Sequence, residues 1–218
     1  MQPEFSRAHP HQGQSVFATG ARLEEARAAM ILLHGRGASA QDILSLANEL
    51  EQPGFAFLAP QAAGNTWYPN RFTVPTEQNE PWLSSALTVI GELMSYVLSS
   101  GIPPERTMLL GFSQGACLAL EFAARNARRY GGVIGLSGAL IGPEDAPRNY
   151  TSSLDGTPVF LGCSDIDFHI PRQRVDQAAE TLRALGADIT ERIYPNMDHT
   201  VNQDEIDFVS QMMNNLLK

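Results

Sequence analysis

Cysteine is scarce in this 218-residue chain: there are two, Cys117 and Cys163. Two thiols cannot build a disulfide framework, and buried thiols in a reducing compartment are the expected state. Basic charge is also short, with 15 Lys and Arg against 24 Asp and Glu and a net charge of -9. That excludes the basic stripe of a nucleic-acid binder and gives no attraction to an anionic membrane surface. No apolar run approaches the roughly 20 residues of a membrane span. Met1 to Arg7 shows no basic start followed by an apolar core and cleavage site, so no signal peptide is expected. Repeats, low-complexity tracts and a linker are missing too. The expectation is a single domain over residues 1–218, cytoplasmic, with residues 1–12 a loosely ordered N-terminal segment. It needs no metal or other cofactor, and a homodimer is its default assembly.

What is present is alternation. Met30-Ile31-Leu32-Leu33, Phe55 to Ala59, Thr107 to Leu110, Val133 to Leu136, Val159 to Leu161 and Ile189 to Tyr194 read as short buried strands. Between them, helical spacing appears after Ser39, from Pro81 to Leu98, from Ser113 to Asn126, from Pro171 to Leu185 and from Glu205 to Leu217. Leu83, Leu87, Ile90, Leu93, Met94, Val97 and Leu98 form the apolar face of the second of these. Such alternation predicts an α/β protein with a mostly parallel central sheet and helices on both faces. Val16-Phe17-Ala18 is read as an added antiparallel edge strand. Gln61 to Glu80 and Ser137 to Gly156 are long irregular connections, where functional residues often sit.

Gly111-Phe112-Ser113-Gln114-Gly115 follows a strand and opens a small-residue helix. A serine hydroxyl is a weak nucleophile and must be presented to a base and an oxyanion hole. A strained strand-to-helix turn does this, and glycines flank it where side chains would collide. Ser113 is therefore the candidate nucleophile, and the N–H of Gln114 a candidate oxyanion donor. His34-Gly35-Arg36-Gly37 ends an earlier strand, and the N–H of Arg36 is the candidate second donor; His34 is read as a structural brace. Only His169 and His199 follow Ser113. His199, between a strand and the last helix, is preferred as base, with His169 as a pocket residue. Gly162-Cys163-Ser164-Asp165-Ile166-Asp167 offers two carboxylates, of which Asp165, nearer the strand end, is preferred over Asp167. Trp67 and Tyr68 are the candidate substrate-binding aromatics of the first long loop. Arg71 is read as a solvated cation with the alternative of meeting an anionic substrate.

Leu33-His34-Gly35-Arg36-Gly37, Gly111-Phe112-Ser113-Gln114-Gly115-Ala116, Gly162-x-x-Asp165 and the late His199 together resemble the phospholipase/carboxylesterase family of α/β-hydrolases. The resemblance implies an α/β-hydrolase fold and a serine carboxylesterase acting on small-molecule carboxylic esters, thioesters and lysophospholipids included. It implies Ser113, Asp165 and His199 as nucleophile, orienter and base, with Arg36 and Gln114 at the oxyanion. The family places a Val-Pro pair soon after its aspartate. Here Ile170-Pro171 comes two residues late relative to Asp165, and counting back from Pro171 selects Asp167. The alternatives are a non-catalytic binding module on the same fold, and a dienelactone-type hydrolase or acyltransferase.

Overall fold

The computed structural model describes residues 9–50 and 52–218. Seven strands form one sheet in the order β1-β3-β2-β4-β5-β6-β7. They are β1 (Val16–Gly20), β2 (Ala28–Leu33), β3 (Phe55–Pro60), β4 (Thr107–Phe112), β5 (Gly132–Leu136), β6 (Pro158–Ser164) and β7 (Asp188–Tyr194). Only β1 runs antiparallel, along β3 at the edge; all other neighbours are parallel. Among the described residues five α-helices accompany them: α1 (Ala40–Leu50), α2 (Trp82–Ser99), α3 (Gln114–Arg125), α4 (Arg172–Ala184) and α5 (Gln203–Leu216).

The aliphatic run predicted as a strand is central because both its faces are covered. All six residues of β2 are fully buried. Successive side chains point to opposite faces. Ala29, Ile31 and Leu33 join the cluster under α2, α3 and α4, while Met30 and Leu32 join the one under α1 and α5. Among the described residues α2 alone is long and apolar enough, by length and composition, to cross a membrane. Here it lies on the sheet through Leu83, Ala86, Ile90, Leu93 and Val97. Leu98, expected on that face, is instead about half exposed, one residue past Val97 where the helix turns to solvent.

The N-terminal expectation needs correction. Residues 1–8 lie outside the described residues, but 9–12 do not form a loose segment. His11 is buried. Its Nε2–H donates to the Trp67 carbonyl at 2.9 Å, and its Nδ1 accepts from the Ala63 N–H at 3.1 Å. Burial lowers its pKa, so the ring is a neutral brace.

The order of the strands positions the site. From β2 the chain moves outward to β3, then returns to β4 on the other side, which opens a crevice at the carboxyl ends of β2 and β4. His34-Gly35 and Ser113 are the residues that leave those two strands.

Candidate active site

Ser113 sits between β4 and α3 with φ 55° and ψ -118°, a strained conformation for a residue with a side chain. Close packing enforces the turn. A Cβ on Gly111 would overlap the backbone of Gly115, and one on Gly115 would overlap the carbonyl oxygen of Leu33. The expected result for Gly115→Ala is thus loss of fold stability by more than about 3 kcal/mol, since the clash is with backbone rather than a movable side chain. A denaturant titration checks it, and a midpoint equal to that of the unmodified chain would refute it.

The side chains converge as the mechanism of an activated serine requires. Ser113 Oγ lies 2.8 Å from His199 Nε2, and His199 Nδ1 lies 2.6 Å from Asp167 Oδ2. The acid against the histidine is Asp167, not Asp165, and that corrects the sequence expectation. The reason is local. The Asp165 N–H still donates to the Tyr194 carbonyl, so Asp165 prolongs the β6–β7 ladder; its Oδ1 accepts from the Asn196 N–H at 2.8 Å. It is exposed and braces the loop that carries His199. Two residues later the chain has left the ladder, and the Asp167 side chain is wholly buried. Its Oδ1 accepts from the N–H groups of His169 and Ile170 at 2.8 and 3.0 Å. Burial pushes this carboxyl up, but the hydrogen bonds from His199, Ile170 and His169 outweigh it and hold the group below its ordinary value.

The N–H groups of Arg36 and Gln114 make no hydrogen bond among the described residues. Gln114 also does something the sequence did not reveal. Its side-chain amide bridges the first long loop, Oε1 accepting from the Trp67 N–H at 2.8 Å and Nε2 donating to the Tyr68 carbonyl at 2.8 Å. His34 is the expected brace: Nδ1–H donates to the Gly35 carbonyl at 2.8 Å and Nε2 accepts from the Ala62 N–H at 3.1 Å, with burial lowering its pKa.

A cavity of about 590 Å³ opens on Ser113 and His199, with Tyr68, Phe72, Cys117 and His169 among its walls. Tyr68 and His169 thus lie where expected, the His169 ring 4.8 Å from that of His199. Trp67 does not line the cavity, a second correction. It is fully buried between the rings of His11 and His34, and its indole N–H is spent on the His34 carbonyl. Cys117 at the cavity floor is buried and burial pushes its thiol up to about 11, so it is no rival nucleophile.

Below the His199 loop lies a buried acid that no motif singles out. Glu205 caps α5, its Oε2 accepting from the Asn202 N–H at 2.9 Å while the Asn202 side chain accepts from the Glu205 N–H. Its Oε1 has no hydrogen-bond partner among the described residues and rests against Gly162, where a side chain would overlap it. Burial pushes this carboxyl from 4.5 up to about 7. Between those values the folded chain holds a proton that the unfolded chain has lost, so Glu205 makes stability fall as pH rises through that window. Glu205→Gln, which cannot ionise, is expected to gain thermal stability over the parent at about pH 8.5 and to gain less at about pH 5. Equal differences at both values would refute the burial of a proton there.

The sheet order and the serine elbow at its crevice define an α/β-hydrolase. The family model of the phospholipases and carboxylesterases matches residues 15–217, and the chain belongs to that family, a serine hydrolase acting on ester bonds. Similar to it is the crystal structure of a phospholipase/carboxylesterase from Dyadobacter fermentans, 42% identical with a TM-score of 0.89, covering 94% of this chain and 97% of that one. The structure of esterase PE8 is 26% identical with a TM-score of 0.78, over 93% and 99% of the two chains. Acyl-protein thioesterase 1 of Kluyveromyces lactis is 28% identical over 217 residues, 90% of this chain and 95% of that protein. The corresponding protein of Gibberella zeae is 33% identical over 130 residues, which span 56% of this chain and 52% of its own length.

Proposed function

We propose that the protein is a serine carboxylesterase that hydrolyses small carboxylic esters, thioesters among them, through an acyl-serine formed on Ser113. The observation that carries this is the unbroken hydrogen-bonded line from Ser113 through His199 to Asp167. Asp167 keeps the proton of the neutral imidazole on Nδ1, so Nε2 is free to take the serine proton. Ser113 Oγ attacks the ester carbonyl, and the oxyanion is held by the N–H groups of Gln114 and Arg36. His199 returns the proton to the departing alcohol or thiol. Water then enters, gives its proton to His199 and attacks the acyl-serine, and the proton goes back to Ser113 as the acid leaves.

The names of the relatives, carboxylesterase, esterase and acyl-protein thioesterase, support the acyl chemistry and leave both oxygen and sulfur leaving groups in range. A cytoplasmic site of action is part of the proposal, in keeping with two free, buried cysteines. The test is a panel of aryl esters and thioesters of increasing acyl length, with fluorophosphonate labelling in parallel. Turnover of at least one series together with labelling at Ser113 is expected. Folded protein that neither labels nor turns over any member would overturn the assignment.

A further inference from the structure

The loop that closes the cavity is braced far beyond what a surface connection needs. From residue 68 to 72 every backbone carbonyl accepts a hydrogen bond. Arg36 donates through its guanidinium to the carbonyls of Tyr68, Pro69 and Asn70 at 2.9, 2.8 and 2.6 Å. Asn79, itself fully buried, donates to the Arg71 carbonyl at 3.2 Å and accepts from the Asn70 N–H at 2.9 Å. The Gly142 N–H donates to the Phe72 carbonyl at 2.7 Å. Five residues are held from three sides, and the one charged residue among them, Arg71, lines the cavity.

Arg71 has neither a carboxylate nor a side-chain hydrogen bond among the described residues, and it is exposed. Its surroundings reinforce its sign. In a chain of net charge -9, the cavity wall carries two guanidinium groups, Arg36 and Arg71, and no carboxylate. Arg36 is committed to three carbonyls and cannot swing to a ligand, yet its charge is left unneutralised at the rim. Asp167, the nearest acid in the hydrogen-bonded line, is buried behind His199. A positively charged, half-enclosed wall beside apolar Phe72, Phe112 and Ile170 is built to hold a substrate that is apolar near its ester and anionic a few atoms away.

We propose that Arg71 is a specificity-determining residue that binds an anionic group, a carboxylate or its equivalent, on the ester substrate. This deepens the esterase assignment and rests on it. The anion belongs either to the acyl chain or to the leaving group, and matched substrates separate the two. Three are needed: p-nitrophenyl hexanoate, mono-p-nitrophenyl adipate with a carboxylate at the end of an acyl chain of the same length, and the hexanoyl ester of a carboxylated nitrophenol. For each enzyme the readout is kcat/KM of an acidic ester divided by that of the neutral one. In Arg71→Ala and Arg71→Gln this ratio is expected to fall about tenfold for one acidic ester, with the change in KM, as for the loss of one charge-assisted hydrogen bond. Arg71→Lys retains part of it, and added salt lowers the ratio more in the parent enzyme than in Arg71→Ala, where only the Arg36 charge remains. Which acidic ester responds identifies the side that carries the anion. If both ratios stay within about twofold of the parent in the two neutral variants, the proposal is wrong. A parent enzyme that turns over none of the three esters would instead count against the esterase assignment itself.

Discussion

Ser113→Ala is expected to lower kcat for any ester the enzyme accepts by about 10⁵ to 10⁶, the scale on which removal of the serine or its base disables an entire triad. The variant loses one oxygen at a surface of the cavity and no packing atom. Gly111 and Gly115 still set the turn, so the near-UV circular dichroism of the variant should match the parent. What persists above the uncatalysed rate measures the oxyanion donors and substrate binding alone. Steady-state kinetics with an aryl ester checks it. Retention of more than about one per cent of the parent rate would place the nucleophile elsewhere.

The second large effect separates two aspartates only two positions apart. Asp167→Asn should cost about 10⁴ in kcat with little change in KM, because an amide cannot enforce the proton on Nδ1 of His199 or stabilise the imidazolium that forms during attack. Asp165→Asn should stay within about threefold, since an amide oxygen still accepts the Asn196 N–H that steadies the His199 loop. The two substitutions are chemically the same and differ only in what the side chain touches. Equal losses would mean that the histidine loop, rather than the acid, limits catalysis. A loss confined to Asp165→Asn would reverse the assignment of the acid.

That aspartate shows where a sequence stops being legible. The strands, the elbow and the histidine that meets Ser113 are legible because each follows from short-range rules: aliphatic runs that must be buried, a Gly-x-Ser-x-Gly spacing that a tight turn demands, and one histidine between the last strand and helix. Asp165 and Asp167 differ in something no such rule carries, namely how far the β6–β7 ladder continues. The Asp165 N–H bond to Tyr194 is a pairing between residues far apart in the chain, and it decides that the first acid faces the loop and the second faces the site. The spacing to Pro171, set beside the family's Val-Pro pair, was the one sign in favour of Asp167, and it came from the resemblance.

Trp67 failed for a related reason. Aromatics in a long loop were expected near the cleft, and the loop is there, but two buried histidines from different segments enclose the indole. His11 in particular lies in the stretch expected to be a loosely ordered N-terminal segment. The bracing of residues 68–72 by Arg36, Asn79 and Gly142 was equally hidden, since its donors come from three separate parts of the chain. These are long-range polar contacts, whose partners hydrophobic periodicity does not encode.

The claim on which everything else rests is a covalent acyl intermediate on Ser113. It is measured most directly by mixing the enzyme with an aryl ester, quenching with acid within the first turnovers, and mapping the mass of the peptides. One acyl group is expected on the peptide containing Ser113, in an amount close to one per enzyme when deacylation is slow, amplified in Asp167→Asn if deacylation suffers more than acylation, and absent in Ser113→Ala. Rapid hydrolysis with no acyl group on that peptide, or with the acyl group on another residue, would contradict it.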